Sequence, residues 1–137
     1  QLVWSPINAR DKLTRLINSA QQNIDIYALT LSDYRLIGDL ARRAAHGINV
    51  RIILPSNHNT LSRGEKRYLT SHGVKLHFIR HLSQHAKLIV VDNQAFYLGS
   101  TNLSEASLDK NRELGIILHD KKLTKKLMQQ FNQDYKM

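Results

Sequence analysis

Residues 85–113, HAKLIVVDNQAFYLGSTNLSEASLDKNRE, hold most of the side chains in this chain that can do chemistry, and their reading decides the fold. Apolar and aromatic residues flank Asp92, Asn93 and Gln94, so 85–91 and 95–99 read as two strands joined by a hairpin. The side-chain period of a strand is two. His85 and Lys87 therefore project from one face, while Ala86, Leu88 and Val90 pack on the other. Gly99 closes the second strand, where it permits backbone crowding or a special φ, and Ser100 and Asn102 leave that strand end. Ammonium, hydroxyl and amide can then surround the same phosphoryl oxygens. Phosphodiester cleavage depends mostly on positioning and on holding negative charge, and Lys87, Ser100 and Asn102 suit that task.

A histidine attacks phosphorus only when neutral, with its second ring nitrogen held by an acceptor that supports the cation formed. Glu113 is the best-placed acceptor for His85. The spacing His85, Lys87, Asp92, Gly99, Ser100, Asn102 is H-x-K-x4-D-x6-G-S-x-N, followed by Asn111 and Glu113. Six such positions coincide by chance on the order of once in 10^7 starts.

The pattern resembles the signature of the phospholipase D superfamily, and the resemblance covers essentially the whole chain, including Ser5-Pro6, RRAAHGINVRIIL at 42–54 and the last helix. It implies that His85 is a nucleophile forming a phosphohistidine, that Glu113 orients it, and that Asp92, at the far end of the strand, acts from behind the site. The superfamily reaction uses two histidines, and most members carry two motifs. This chain carries one. The small bacterial endonucleases of the superfamily pair two identical subunits around one phosphate, without a metal ion. The resemblance thus implies a homodimer with a shared site and no cofactor.

At 137 residues the chain suits one catalytic domain, 1–137, with a core that needs no staples. The absence of cysteine removes disulfides, thiolate metal sites and cysteine nucleophiles together. Apolar runs fall far short of the ~20 residues of a membrane span. Gln1 in place of Met fits an upstream segment removed by signal cleavage, which would imply a periplasmic or secreted protein, or excision from a longer chain. Twenty Lys and Arg against eleven Asp and Glu give +9, a field that favours polyanions such as nucleic acid or an anionic lipid surface.

Around the motif the chain reads as scaffold. A helix is expected over 9–22, capped by Asn8, with Leu13, Leu16, Ile17 and Ala20 inward. A strand follows over 24–29, and Asp33 caps a second helix that ends at Gly47. A buried strand over 50–54, a weaker helix over 61–71, a strand around 74–78, a strand over 113–118 and a last helix capped by Asp120 complete the order. Leu123, Leu127, Met128, Phe131 and Tyr135 are expected to face inward on that helix. Six strands and four helices give an α/β domain with a mixed, mostly parallel sheet flanked by helices.

Other features are weighed against bland roles. His77, His81 and His85 repeat every four residues, but in strand and loop rather than along a helix, so no metal is expected. His46 and His72 precede glycines at helix ends, where capping is the simpler role. Phe96 and Tyr97 read as core. Lys121, Lys122, Lys125 and Lys126 fill the start of the last helix against its dipole, a phosphate footprint or a solvated face. Arg63, Lys66, Arg67 and Arg80 are the better candidates for substrate binding.

Three functions follow. The first is a metal-independent nuclease. The second is one half of a two-motif phospholipase D or cardiolipin-synthase-like enzyme acting on phospholipid head groups. The third is a nucleic-acid-binding module without activity.

Overall fold

The structure, a computed structural model, describes residues 1–56, 61–80, 87–100 and 103–137. It opens with a short strand, β1 (Leu2–Ser5), and a helix, α1 (Ala9–Asn18). Strand and helix then alternate through β2 (Asn23–Tyr27), α2 (Tyr34–Ala45), β3 (Asn49–Pro55), α3 (Arg63–Ser71) and β4 (Lys75–Ile79). The second half runs β5 (Lys87–Val91), β6 (Ala95–Gly99), α4 (Glu105–Asp109), β7 (Glu113–His119) and α5 (Lys121–Tyr135).

The strands form one sheet in the order β1-β7-β6-β5-β2-β3-β4. It is mixed and flanked by helices, as expected, but the expectation of a mostly parallel sheet needs correction. β2 pairs parallel with β3, and β3 with β4; the other four pairings are antiparallel. The crossover rule governs only strands joined through a helix that returns to the same sheet end. β5 and β6 are joined by a hairpin instead, with Asp92 and Asn93 at φ 55° and 56° and the Gln94 amide donating to the Val91 carbonyl at 3.0 Å.

Among the described residues there are also seven strands and five helices, where six and four were expected. β1 has four residues and α4 five, too short for a periodicity to register. β1 is held by its ladder to β7. The first helix ends at Asn18, four residues early, and Asn8 does not cap it through its side chain. The Asn8 Oδ1 instead accepts from the Trp4 amide at 2.8 Å.

Two apolar layers sandwich the sheet. On one side Ile24, Ile26, Ile52, Leu54 and Ile89 pack with Leu13 and Ile17 of α1 and Leu36 and Leu40 of α2. On the other, Tyr27, Ile53, Leu88, Val90 and Phe96 lie under Met128 and Phe131 of α5. Thr124 is buried there, whereas Leu123, expected inward, is 40% exposed. Met128 and Phe131 are buried, with Leu127 and Tyr135 packed against the same cluster as expected, so the departure is confined to the first turn, where Thr124 takes the inward place of Leu123.

Caps set the helix starts. Asp33 accepts from the Leu36 amide at 3.1 Å and Asp120 from the Leu123 amide at 3.0 Å, while Ser62 and Glu65 form a reciprocal capping box. Each is worth about 1 kcal/mol. His46 and His72 act at the other ends as expected, each Nδ1 lying 2.7 Å from the carbonyl four residues back. The far end of α5 is fastened by polar contacts: the Tyr27 hydroxyl donates to Asp134, and Arg51 lies over the rings of Phe131 and Tyr135. Arg51 also donates to the fully buried Asp25 at 2.7 Å. Burial pushes the Asp25 carboxyl up, and the guanidinium opposes that shift. No helix of the described residues is long and apolar enough to cross a membrane.

Candidate active site

The strand directions gather the chosen residues at one end of the sheet. β5 runs against β2, β6 against β5, and β7 against β6. The start of β5, the end of β6 and the start of β7 therefore coincide, and Lys87, Ser100 and Glu113 meet there. The end of β1 joins them, because Ser5 pairs with Glu113.

Lys87 is only 8% exposed, unusual for a lysine without a fixed task. It lies opposite Gly99, which in turn lies opposite Gly115. The two glycines follow from packing rather than from φ. Tyr97, fully buried, lies on the same face, and a methyl group at Gly99 would overlap its hydroxyl and the Gly115 Cα. A methyl at Gly115 would strike the Tyr97 ring. The phenol thus covers the glycine pair beside Lys87, which makes Tyr97 a site neighbour where the sequence suggested plain core. A glycine two residues beyond a buried tyrosine was the signal.

Ser100 is exposed and tied to β7: its Oγ donates to the Leu114 carbonyl and accepts from the Leu114 amide, both at 3.2 Å. The hydroxyl is thereby held at the strand end beside Glu113. Leu103, the first described residue past it, donates to the Thr30 carbonyl at 3.3 Å, while its own carbonyl accepts from Ser32 and Asp33. The segment after β6 is thus stitched to the loop after β2. His85 and Asn102 lie outside the described residues, as do His58 and His81.

Ser100 and Glu113 line a recess of about 750 Å³ with Trp4, Ser5, Lys110 and Arg112. The two cations were not singled out from the sequence, although both stand in the SLDKNRE run. They bring positive charge to the same edge as Lys87.

Asp92 is elsewhere. Its carboxylate accepts from the backbone amides of Gln21 at 2.9 Å, Gln22 at 2.7 Å and Asn23 at 3.0 Å. It pins the α1–β2 connection to the hairpin at the opposite end of the sheet. Lys121 and Lys125 lie beside that hairpin, with Asn93 and Gln94, at the end of the sheet away from Lys87. Arg63 and Arg67 are exposed on α3, Arg80 is exposed just past β4, and Lys66 lies over the Phe78 ring.

A family model described as "Cardiolipin synthase, PLD-like domain" matches residues 13–135. The chain belongs to the phospholipase D superfamily. This phospholipase D-like chain is 30% identical over 129 residues to a cardiolipin synthase of Clostridium perfringens, covering 90% of the chain and 27% of that protein. It is 27% identical over 142 residues to cardiolipin synthase B of Shigella flexneri, covering 96% and 34%. It therefore spans about a quarter to a third of the length of those relatives. Among solved structures it resembles Nuc of Salmonella typhimurium, a phospholipase D family member, with TM-score 0.89 and 25% identity, covering 99% of this chain and 93% of that one. NucT from Helicobacter pylori has the same fold, with TM-score 0.85 at 22% identity and coverage of 98% and 93%.

Proposed function

We propose that this chain is a metal-independent phosphodiesterase that cleaves nucleic acid through a phosphohistidine on His85, two copies sharing one site. The carrying observation is the meeting of Lys87, Ser100 and Glu113 at one sheet end, beside a recess lined by Lys110 and Arg112. Neutral His85 attacks phosphorus; a P–N bond forms as the P–O bond to the leaving group breaks. The histidine of the second copy gives its proton to the departing oxygen. It then takes a proton from water, whose oxygen displaces His85 and breaks the P–N bond. Lys87 and Asn102 hold the non-bridging oxygens throughout, joined by Ser100 once its hydroxyl turns its one proton from the Leu114 carbonyl to the phosphate, and Glu113 supports the imidazolium. Asp92 serves the scaffold.

Pairing of copies is supported by a bare sheet face. On the α5 side, Leu2, Trp4, Leu98 and Leu114 are 37–49% exposed and continuous through the pairings Leu2–Ile116–Leu98 and Trp4–Leu114. α5 covers Phe96 and Leu118 of these strands but stops short of the site end. The face borders the recess through Trp4 and Leu114, and its own exposed side chains Leu2, Trp4, Leu98 and Leu114 are uncharged, so a second copy can bury them.

The test is nicking of supercoiled plasmid in EDTA at low salt. The expected result is cleavage by the wild type and none by His85→Ala. Absence of cleavage by either would sink the nuclease reading. The second reading, half of a cardiolipin-synthase-like enzyme, is favoured by the 30% identity to such a protein; release of phospholipid head groups would establish it.

A further inference from the structure

β4 is an edge strand, and edge strands of soluble proteins are commonly blunted with charge. Lys75 and Arg80 fit that habit. Phe78 does not: the alternation of Val74, Leu76 and Phe78 would bury it, yet it is 38% exposed, with the Lys66 ammonium 5.0 Å from its ring centroid. This cation fixes which flank of α3 looks toward the edge strand. Arg63, Lys66, Arg67 and Thr70 stand at i, i+3, i+4 and i+7 and share that flank. α3 begins, and β4 ends, at the sheet end that carries Lys87, because both follow from the parallel run of β2, β3 and β4. Arg63 and Arg80 therefore lie on the site side of Phe78. From β4 to β5 is three strand spacings, about 14 Å, the reach of a few nucleotides.

We propose that Phe78, with Arg63, Lys66, Arg67 and Arg80, forms a track for single-stranded nucleic acid that leads to the catalytic end of the sheet. The proposal rests on the nuclease reading above and narrows its substrate. The ring keeps 38% of its surface exposed beside the Lys66 ammonium, which leaves it open to contact by an unpaired base, and the cations around it meet the phosphates on either side. A duplex hides its base faces from such a ring. A lipid surface would call for apolar side chains standing clear of charge, whereas this ring is capped by an ammonium and flanked by guanidinium groups.

The test is binding of a short fluorescein-labelled oligodeoxynucleotide, single-stranded and as duplex, on the His85→Ala background so that no cleavage intervenes. Phe78→Ala is expected to weaken single-strand binding about ten-fold or more and duplex binding little. Phe78→Tyr should retain single-strand binding, and an unchanged thermal midpoint excludes misfolding of the alanine variant. Arg63→Gln with Arg67→Gln should lower the slope of log K against log salt by roughly 0.7 for each cation removed. Equal loss of single-strand and duplex binding, or no loss in Phe78→Ala, overturns the proposal. So does a Phe78→Ala effect confined to vesicles of anionic phospholipid. Single-strand binding through Phe78 by a chain whose His85 form nicks nothing would remove the nuclease reading and leave the track standing.

Discussion

Lys87 and Asp92 stand at opposite ends of one strand, about 17 Å apart along β5, the first nearly buried at the end that carries Ser100 and Glu113 and the second bonded to three backbone amides at the other. Two letters of one motif thus stand in unrelated surroundings. Lys87 lies with Ser100 and Glu113 where the proposed function puts the substrate phosphate, and Asp92 ties the hairpin to the α1–β2 connection.

Their separation sets the first prediction. Asp92→Ala should cost about 1–3 kcal/mol of stability, since the Gln21, Gln22 and Asn23 amides lose their acceptor. Its kcat should stay within about two-fold of wild type while the chain is folded. Lys87→Ala should do the reverse, with kcat down roughly 10^2–10^3. Urea titration and cleavage kinetics on the same preparations separate the two; a Lys87-like loss of kcat in Asp92→Ala would place Asp92 in the chemistry.

The glycine pair sets the second. The three atoms nearest a methyl at Gly115 all belong to the Tyr97 side chain, whereas those nearest a methyl at Gly99 include the Gly115 Cα and the Leu114 carbonyl oxygen. Each should destabilise by about 1–3 kcal/mol or more. Adding Tyr97→Ala should recover part of the loss for Gly115→Ala and little for Gly99→Ala. Equal recovery in both double-mutant cycles would contradict the packing described.

The third concerns alkaline pH. Burial, and then the hydrogen bond to Asp134, raise the Tyr27 phenol above its ordinary value of 10.0. The folded chain keeps this proton where the unfolded chain gives it up, so the contribution is fully present below pH 10. It is lost above that value at about 1.4 kcal/mol per pH unit. Tyr27→Phe should be less stable than wild type near neutrality, with the gap narrowing from about pH 9 to 11. Urea midpoints across that range check it; a constant gap would deny the coupling.

The fourth concerns the bare face. Leu114→Lys places like charges against each other if two copies meet there. Sedimentation velocity should then report a monomer, and plasmid nicking should fall at least about ten-fold, with the circular dichroism spectrum unchanged. A monomeric wild type of full activity would remove the shared-site reading.

Much of this architecture was legible beforehand, for reasons particular residues make plain. The runs at 24–29 and 50–54 and the helix behind Asp33 carry periodicity and caps that act within a few residues of themselves. The spacing from Lys87 to Ser100 and on to Glu113 was readable because a hairpin brings those ends together. β1 was not, since its strand character comes from pairing with β7 across more than a hundred residues. Nor was the direction of most of the sheet, which follows from how two halves of the chain join rather than from either half.

The amino-acid order alone determined the chemistry on offer: a histidine two residues before a lysine, a hydroxyl and an amide after a glycine, and a field of +9. These are local matters, decided by side-chain type and a period of two. Only the tertiary structure decided where each group stands. It brought the Gln21, Gln22 and Asn23 amides to Asp92, laid Tyr97 over Gly99 and Gly115, left Trp4 and Leu114 uncovered and turned Phe78 outward. Those positions depend on which distant segment packs against which, a balance of burial summed over the whole sheet that no short stretch of the chain contains.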